Sequence, residues 1–260
     1  MSESPTVLME TRGRISIVTI NRPEVRNAVN PATADALRDG FVAFDKNDEV
    51  DVAVLVGAAD AFCAGYDLKA LSASGGNIPC EPEGVGPMGP SRLLLDKPVI
   101  AAVEGPAVAG GLELALWCDL RVAAEDAVFG VYCRRWGVPL IDGGTVRLPR
   151  LIGHGRAMDM ILTGRPVGGQ EALDFGLVNR LVPTGMALKT AVALAEELTR
   201  FPQVCMQTDR MSAIRQWTMS IEDALRHESR EGVTPFRDEA VAGAERFASG
   251  RGRGGDFDNI

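Results

Sequence analysis

The stretch KPVIAAVEGPAVAGGLELALWCDLRVA, residues 97–123, decides the fold of this chain of 260 residues. It begins with a wholly apolar run, Val99–Val103, of the kind that forms a buried strand. Helical spacing restarts at Leu112 after a pair of glycines, and Arg121–Ala124 indicates a further strand. Strand, glycine turn, helix and strand in this order predict an α/β domain with parallel strands.

The residues before this stretch predict a hairpin and then a helix and another buried strand. Val7–Glu10 and Ile15–Ile20 are rich in β-branched residues and flank a turn at residues 11–14. Asn30 followed by Pro31 predicts a helix start, because asparagine caps free N–H groups and proline at the first position loses no hydrogen bond. Val52–Val56 is a second short apolar run, and we expect it to be buried.

The segment Ser72–Ser91 is dense in glycine and proline and has no period, so we expect a long surface loop. The last third of the chain is mainly helical in its pattern. The helices predicted there are Arg156–Thr163, Gln170–Phe175, Met186–Arg200 and Ile221–Glu228.

Composition and charge exclude several classes of function. The net charge of −8 disfavours binding to nucleic acid. The five cysteines form no CxxC pair and are odd in number, which favours a reducing cytoplasm and no disulfide framework. The N-terminus lacks the pattern of a signal peptide, and the most membrane-like stretch, Val99–Cys118, holds Glu104 and Glu113. We therefore expect a cytoplasmic protein without a membrane partner.

Phosphate-loop and hydrolase-elbow motifs are missing from the sequence, and its two histidines argue against a multi-histidine metal centre. Two glycine-containing segments instead join strand-like to helix-like runs, Phe62–Lys69 and Gly105–Glu113. Glycine lets a backbone N–H turn toward a ligand, and two such groups facing one point would form an oxyanion hole. The alternative is that both segments are only tight turns and helix caps.

Five segments in order along the chain resemble the crotonase family, the enoyl-CoA hydratase and isomerase group. The resemblance covers most of the chain, and the combination of segments is far more specific than any one of them. The segments are NRPEVRNAVN (Asn21–Asn30), FCAGYDLKAL (Phe62–Leu71), residues 97–123, LPRLIGHGRAMDMILTGRPV (Leu148–Val167) and EALDFGLVNRLVP (Glu171–Pro183).

The resemblance implies an α/β spiral of repeated strand–strand–helix units with a helical C-terminal region for oligomerisation. It divides the chain into a core over residues 1–200 that carries an acyl-CoA site and a trimerisation region over residues 201–260, in a homotrimer or a dimer of trimers. The family stabilises the enolate of an acyl-CoA thioester and uses no separate cofactor, since coenzyme A enters with the substrate. By position, the oxyanion donors would be the backbone N–H groups of Tyr66 and Gly110.

The resemblance also assigns a set of substrate-binding residues. Ala64 would lie near the adenine and Lys69 near a phosphate, although a lone lysine after a loop is more often only solvated. The set is Glu24, Val25, Arg26, Ala64, Asp67, Leu68, Lys69 and Cys133.

The carboxylates depart from the hydratase pattern, in which two glutamates hold and activate a water. Glu113 matches the first glutamate, but the second position falls on Cys133, whose thiol is a poor base at neutral pH. Asp142 lies one residue beyond Ile141, the position at which some isomerase-like and dehalogenase-like relatives carry an aspartate. It either approaches the pocket as a further catalytic residue or caps the next helix.

Three hypotheses follow for the function. The preferred one is an enoyl-CoA hydratase with Glu113 as general acid and base. The second is another enolate-forming reaction, such as isomerisation, decarboxylation or thioester hydrolysis, because Cys133 replaces a glutamate. The third is a binder of CoA thioesters without catalysis. Arg134 and Arg135 would suit an acyl chain with a polar end, unless they are only solvated.

Overall fold

The structure, a computed structural model, describes residues 4–78, 81–257 and 260. Its strands are β1 (Val7–Arg12), β2 (Ile15–Ile20), β3 (Val52–Gly57), β4 (Val99–Val103), β5 (Pro106–Val108), β6 (Leu120–Ala124), β7 (Val128–Gly130), β8 (Val167–Gly168) and β9 (Arg180–Val182). Its helices are α1 (Pro31–Lys46), α2 (Leu68–Ala73), α3 (Gly110–Trp117), α4 (Gly144–Ile152), α5 (His154–Thr163), α6 (Gly169–Phe175), α7 (Ala187–Thr199), α8 (Gln203–Arg215), α9 (Ile221–Glu231), α10 (Val233–Pro235) and α11 (Val241–Ala248).

The strands form two sheets. The larger has the order β1-β2-β3-β4-β6-β9 and the smaller the order β5-β7-β8. β1 and β2 pair antiparallel with Val7 opposite Ile20, which confirms the predicted hairpin, although β1 runs on to Arg12. From β2 to β9 the larger sheet is parallel, as the alternation of strands and helices predicts.

From β4 to β7, successive strands alternate between the two sheets, which produces repeated strand–strand–helix units. The chain leaves the larger sheet at Val103, turns at Gly105 and joins the smaller sheet at Pro106 before α3 begins. Gly105 has a φ of +53°, and a Cβ there would collide with the carbonyl of Asp60, so a side chain is excluded. β6 and β7 repeat this step.

The apolar runs are wholly apolar because both faces of the larger sheet are buried. In β3, Val52 and Val54 pack in a cluster with α7, whereas Ala53 and Leu55 pack in a second cluster with α1. Alternate residues of a strand point to opposite faces, so burial of both faces requires apolar residues throughout.

α1 begins where the sequence predicts. The side chain of Asn30 accepts hydrogen bonds from the backbone N–H of Thr33 at 2.9 Å and from its hydroxyl at 2.8 Å, and Pro31 occupies the first helical position. The predicted apolar face is buried, and its residues are Leu37, Phe41 and Phe44.

Five helices of the described residues have no range predicted from the sequence: α2, α4, α8, α10 and α11. α2 extends into the predicted loop, whose aperiodic part therefore starts after Ala73 rather than at Ser72. α4 follows a glycine pair and contains Pro149. In α8, Met211 is the buried residue, so the sequence carries no continuous apolar stripe that would mark a helix.

The division at residue 200 stays a prediction. α7 packs against the larger sheet through Ala191 and Ala195, and α8 is tied to the preceding body by Arg210, which pairs with Asp119 at 2.8 Å. Within residues 4–78, 81–257 and 260, none of the helices combines the length and apolar character needed to cross a membrane.

Candidate active site

A cavity of about 390 Å³ opens between the N-terminus of α3, the segment before Ser91 and the segment that follows β7. Its volume is within the range of small-molecule sites. Ile78, Pro87 and Met88 border it, so the predicted loop does adjoin the pocket in its described part. The site residues that line the cavity are Arg26, Ala64, Tyr66, Leu68, Gly110, Glu113, Cys133 and Asp142.

The two glycine segments lie side by side at this cavity. The N–H of Cys63 donates to the carbonyl of Pro106 at 3.0 Å, and the N–H of Val108 donates to the carbonyl of Cys63 at 3.1 Å. Gly65 has a φ of +98°, and a Cβ on it would lie 2.9 Å from the nitrogen of Gly110. The backbone before Tyr66 therefore runs against the first residue of α3.

The N–H groups of Tyr66 and Gly110 have no hydrogen-bond acceptor within the described ranges, whereas the N–H groups of Ala64, Asp67 and Ala109 beside them each donate to a backbone carbonyl. Gly110 is the first residue of α3, where the helix dipole adds partial positive charge. Ala109 before it has a φ of +54°, a conformation that side chains rarely adopt and that is often found at functional sites. Both residues line the cavity, so the oxyanion role expected for their N–H groups stays a prediction.

Glu113 lies one turn into α3 and is only 3% exposed. Its Oε1 accepts hydrogen bonds from the backbone N–H groups of Asp142 at 2.9 Å and Gly144 at 2.8 Å. Burial, together with the nearby Asp142 carboxylate, raises the pKa of Glu113 to about 7. Its Oε2 has no hydrogen-bond partner in the part of the chain described. This atom is not fully buried, and Glu113 lines the cavity.

Asp142 faces the cavity and does not cap a helix. Its Oδ1 accepts hydrogen bonds from the N–H of Met88 at 3.0 Å and from the hydroxyl of Ser91, whereas α4 begins after Gly143 with no side-chain cap. Burial raises the pKa of Asp142 against the opposing effect of Ser91 and Met88. Asp142 therefore approaches the pocket, and its role as a further catalytic residue stays a prediction.

Cys133 also lines the cavity and is 6% exposed. Burial and the negative charge of Glu113 raise the pKa of its thiol, so it stays protonated at neutral pH. Of the two arginines that follow, Arg134 turns away and donates to the carbonyl of Ile161 at 3.0 Å. Arg135 lines the cavity, with its guanidinium 4.6 Å from the centre of the Tyr132 ring.

The predicted CoA contacts divide into residues at the cavity and residues beside it. The carbonyl of Arg26 accepts the N–H of Ala64 at 3.0 Å, which joins the loop of residues 22–26 to the first glycine segment. Glu24 and Val25 form a short 3-10 turn in that loop and do not line the cavity.

Asp67 and Lys69 also lie off the cavity wall, so their predicted contacts are not seen there. The Asp67 carboxylate caps α2 through the N–H groups of Lys69 and Ala70 and pairs with Arg22 at 3.1 Å. These bonds lower the pKa of Asp67 although partial burial opposes them. Lys69 is exposed on α2.

Sequence reasoning missed three residues that hold the carboxylates. Met88 and Ser91 come from the aperiodic loop, and nothing in their spacing connects them to Asp142. Arg147 donates from its guanidinium to the carbonyls of Asp142 at 3.0 Å and Ser91 at 2.7 Å, and its charge opposes the rise of the pKa of Glu113. The sequence signal that could have found it is its position five residues after Asp142.

The family model described as "Enoyl-CoA hydratase/isomerase" matches residues 10–251. The chain belongs to the enoyl-CoA hydratase/isomerase family. The enoyl-CoA hydratase EchA19 of Mycobacterium tuberculosis is 36% identical to it over 259 residues, covering 96% of each protein. The carnitinyl-CoA dehydratase of Salmonella typhi is 34% identical over 260 residues, covering 96% of this chain and 97% of that protein.

The fold agrees with solved structures of the enoyl-CoA hydratase/isomerase family. A crystal structure of an enoyl-CoA hydratase from Mycobacterium tuberculosis superposes with a TM-score of 0.89 at 39% identity, over 95% of this chain and 96% of the other. The crotonase fold expected from the resemblance is therefore confirmed.

Proposed function

We propose that this chain is an enoyl-CoA hydratase that adds water across the double bond of a 2-enoyl-CoA thioester. The observation that carries the proposal is the meeting of two unpaired backbone N–H groups, from Tyr66 and Gly110, with the buried carboxyl group of Glu113 in one cavity. The names of the relatives reported above support the same reaction.

The N–H groups would bind the thioester carbonyl oxygen. When water adds to C3 of the enoyl group, electrons move onto this oxygen and an enolate forms. Donors that are fixed in advance stabilise this charge more than they stabilise the ground state. One such donor lowers the activation free energy by roughly 3 kcal/mol.

Glu113 would move the proton. As the carboxylate, its Oε2 takes a proton from water while the water oxygen bonds to C3. As the acid, it then returns a proton to C2 of the enolate, which completes the addition and restores the carboxylate. A pKa of about 7 suits both steps, because both forms of Glu113 are populated at neutral pH.

Asp142 is proposed to assist Glu113 in place of the missing second glutamate. Its backbone N–H holds Oε1 of Glu113, and its side chain is fixed by Met88 and Ser91. With Oε1 occupied by two N–H groups, the orientation of the carboxyl plane is set and Oε2 is the oxygen that meets the water. Cys133 then contributes a neutral, weakly polar wall.

The substrate-binding set, Glu24, Val25, Arg26, Ala64, Asp67, Leu68 and Lys69, is proposed to hold the coenzyme A portion from the loop and helix beside the cavity. Arg26, Ala64 and Leu68 line the cavity and suit this role directly. We further propose a homotrimer or a dimer of trimers, assembled through residues 201–260, acting in the cytoplasm without nucleic acid or membrane partners.

A second candidate is another enolate-forming reaction of an acyl-CoA thioester, such as isomerisation, decarboxylation or thioester hydrolysis. It is favoured by Cys133, which lines the cavity where the hydratase pattern has a glutamate. A protonated thiol does not activate water, so chemistry that needs only an enolate and one carboxyl group fits the same site.

Kinetics on crotonyl-CoA and longer 2-enoyl-CoAs test the proposal. Wild-type protein is expected to hydrate these substrates, and Cys133→Glu is expected to raise kcat because it supplies a second base, whereas Cys133→Ser, the matched control, is not. If Cys133→Glu gives no gain and wild-type protein turns over a different thioester, the second candidate replaces the first. Calorimetric binding of acyl-CoA with no product from any thioester would indicate a binder without catalysis.

A further inference from the structure

Two segments from distant parts of the chain hold the carboxyl groups of the reaction cavity. One is residues 86–91, the Ser91 segment, which donates two hydrogen bonds to Oδ1 of Asp142. The other is residues 141–144, the Asp142 turn, which donates two backbone N–H groups to Oε1 of Glu113. The placement of both carboxyl groups therefore depends on how these two segments are held together.

Arg147 joins the two segments. Its Nη1 donates to the carbonyl of Asp142 at 3.0 Å, and its Nη2 donates to the carbonyl of Ser91 at 2.7 Å. A guanidinium is planar and presents its donors in a fixed fork, so the two carbonyl oxygens are held at a set separation. Both acceptors are neutral, and in the described part of the chain no carboxylate forms an ion pair with Arg147.

The backbone of the Asp142 turn leaves room for this guanidinium. Gly143 has a φ of +99°, and a Cβ on it would collide with Nη1 of Arg147. Only glycine combines this backbone conformation with the space that the guanidinium occupies. The turn is therefore shaped around Arg147, which is partly buried in the first turn of α4.

The charge of Arg147 also acts on both carboxyl groups. Burial raises the pKa of Glu113 and of Asp142, and the positive charge of Arg147 opposes both rises. Burial lowers the pKa of Arg147 itself, and the two carboxylates oppose that change. The other titratable or charged groups that interact with Glu113 or with Arg147 are Cys133, Cys118 and Arg150.

We propose that Arg147 is a positioning residue for the hydration reaction, which holds the Asp142 turn against the Ser91 segment and so fixes both carboxyl groups at the cavity. Arg147 does not line the reaction cavity, so it acts through the two segments and not on the substrate. This inference rests on the proposed function, and it adds that a residue outside the cavity sets both the rate and its pH dependence.

Kinetics on crotonyl-CoA over a range of pH test the proposal. Arg147→Gln is expected to lower kcat about tenfold or more, because a small misplacement of the reacting groups has a large effect on rate. KM is expected to change less than kcat, because Arg147 does not line the cavity. The acid limb of the kcat/KM profile is expected to move to higher pH, because Glu113 releases its proton less readily without the nearby positive charge.

Arg147→Lys separates positioning from charge. Lysine keeps the positive charge but lacks the rigid fork that binds two carbonyls at once. We therefore expect kcat to fall in this variant as well, with the acid limb close to that of the wild type. Arg134→Gln is the matched control, because Arg134 also donates to a backbone carbonyl, that of Ile161 at 3.0 Å, but is not among the charges that act on Glu113.

Infrared spectroscopy follows Glu113 without any turnover. The difference between the spectra of Arg147→Gln with and without Glu113→Gln isolates the carboxyl band of Glu113. This band is expected to titrate at higher pH than in the corresponding pair with Arg147 in place. If wild-type protein hydrates no enoyl-CoA, the proposed function fails, and this titration alone decides the role of Arg147.

Three results would overturn the proposal. They are a wild-type kcat in both Arg147 variants, an equal loss of kcat in Arg147→Gln and Arg134→Gln, and a Glu113 titration that Arg147→Gln leaves in place. Should Arg147→Gln fail to fold, Arg147→Lys carries the test, and an unchanged kcat in that variant overturns the proposal.

Discussion

Replacing Glu113 by glutamine is expected to abolish most activity and yet stabilise the protein at alkaline pH. The amide oxygen of glutamine still accepts the N–H groups of Asp142 and Gly144, so the local hydrogen bonds survive. What disappears is a buried negative charge beside Asp142. A carboxyl group that is buried without a cation of its own destabilises the folded state once it ionises.

The magnitude follows from the pKa of Glu113, which rises from 4.5 to about 7 on folding. Between these values the folded state binds more protons than the unfolded state, so wild-type stability falls as pH rises and the loss is complete above about pH 7. The linkage gives a penalty of roughly 1 kcal/mol at about pH 5.5 and about 3 kcal/mol at about pH 8.5. Glu113→Gln escapes this penalty.

The assay compares thermal unfolding of wild-type and Glu113→Gln proteins at these two pH values. The advantage of the variant should grow by about 2 kcal/mol from the acidic to the alkaline condition, which is about 4–8 °C in Tm for a chain of this size. Glu104→Gln is the matched control, because Glu104 also accepts two backbone N–H groups, from Gly185 at 3.0 Å and Ala187 at 2.8 Å, but is partly exposed. A variant advantage that is the same at both pH values would refute the reasoning.

Four further predictions test the site and the core. Asp142→Asn keeps an acceptor for Met88 and Ser91 but removes a charge that raises the pKa of Glu113, so the acid limb of the kcat/KM profile should move to lower pH; a shift to higher pH would contradict this. Asp67→Ala removes the α2 cap and the partner of Arg22, and should lower the free energy of unfolding by about 1–3 kcal/mol in denaturant titrations, whereas an unchanged midpoint would be inconsistent with these bonds. Arg135→Gln should raise KM for an enoyl-CoA with a terminal carboxylate more than for its methyl-ended counterpart, and Arg134→Gln, whose parent side chain is bound to Ile161, should not discriminate between them. Phe41→Ala removes a fully buried ring that packs edge-on against Phe44 and Trp117 and should cost about 3–5 kcal/mol of stability, so a loss below about 1 kcal/mol would be incompatible with this packing.

The sequence predicted the elements that are encoded locally. The strand Val99–Val103 is apolar throughout because both faces of its sheet are buried. The start of α1 is determined by the N-cap Asn30 and by Pro31 at the first helical position. Tyr66 and Gly110 followed from the family resemblance joined to the glycine pattern. The strand and the helix start depend on neighbouring residues in the chain, and the two site residues lie within continuous family motifs.

What the sequence left open or did not predict depends on contacts between distant segments. Asp142 faces the cavity because its backbone N–H bonds to Glu113 and its carboxylate bonds to Met88 and Ser91. These partners lie 29, 54 and 51 residues away, and no spacing rule connects them. The ion pair of Asp67 with Arg22 was missed for a related reason, since Arg22 lies 45 residues away, whereas its cap of α2 is local and uses the N–H groups of Lys69 and Ala70.

The pairing of two backbone N–H groups with one buried acid is tested most directly by a crystal structure with bound butyryl-CoA, which has no double bond to hydrate. The thioester oxygen is expected within about 2.7–3.1 Å of the nitrogens of both Tyr66 and Gly110, with Oε2 of Glu113 facing C2 and C3 of the acyl chain. A thioester oxygen that contacts neither nitrogen, or an acyl chain that lies away from Glu113, would contradict the account.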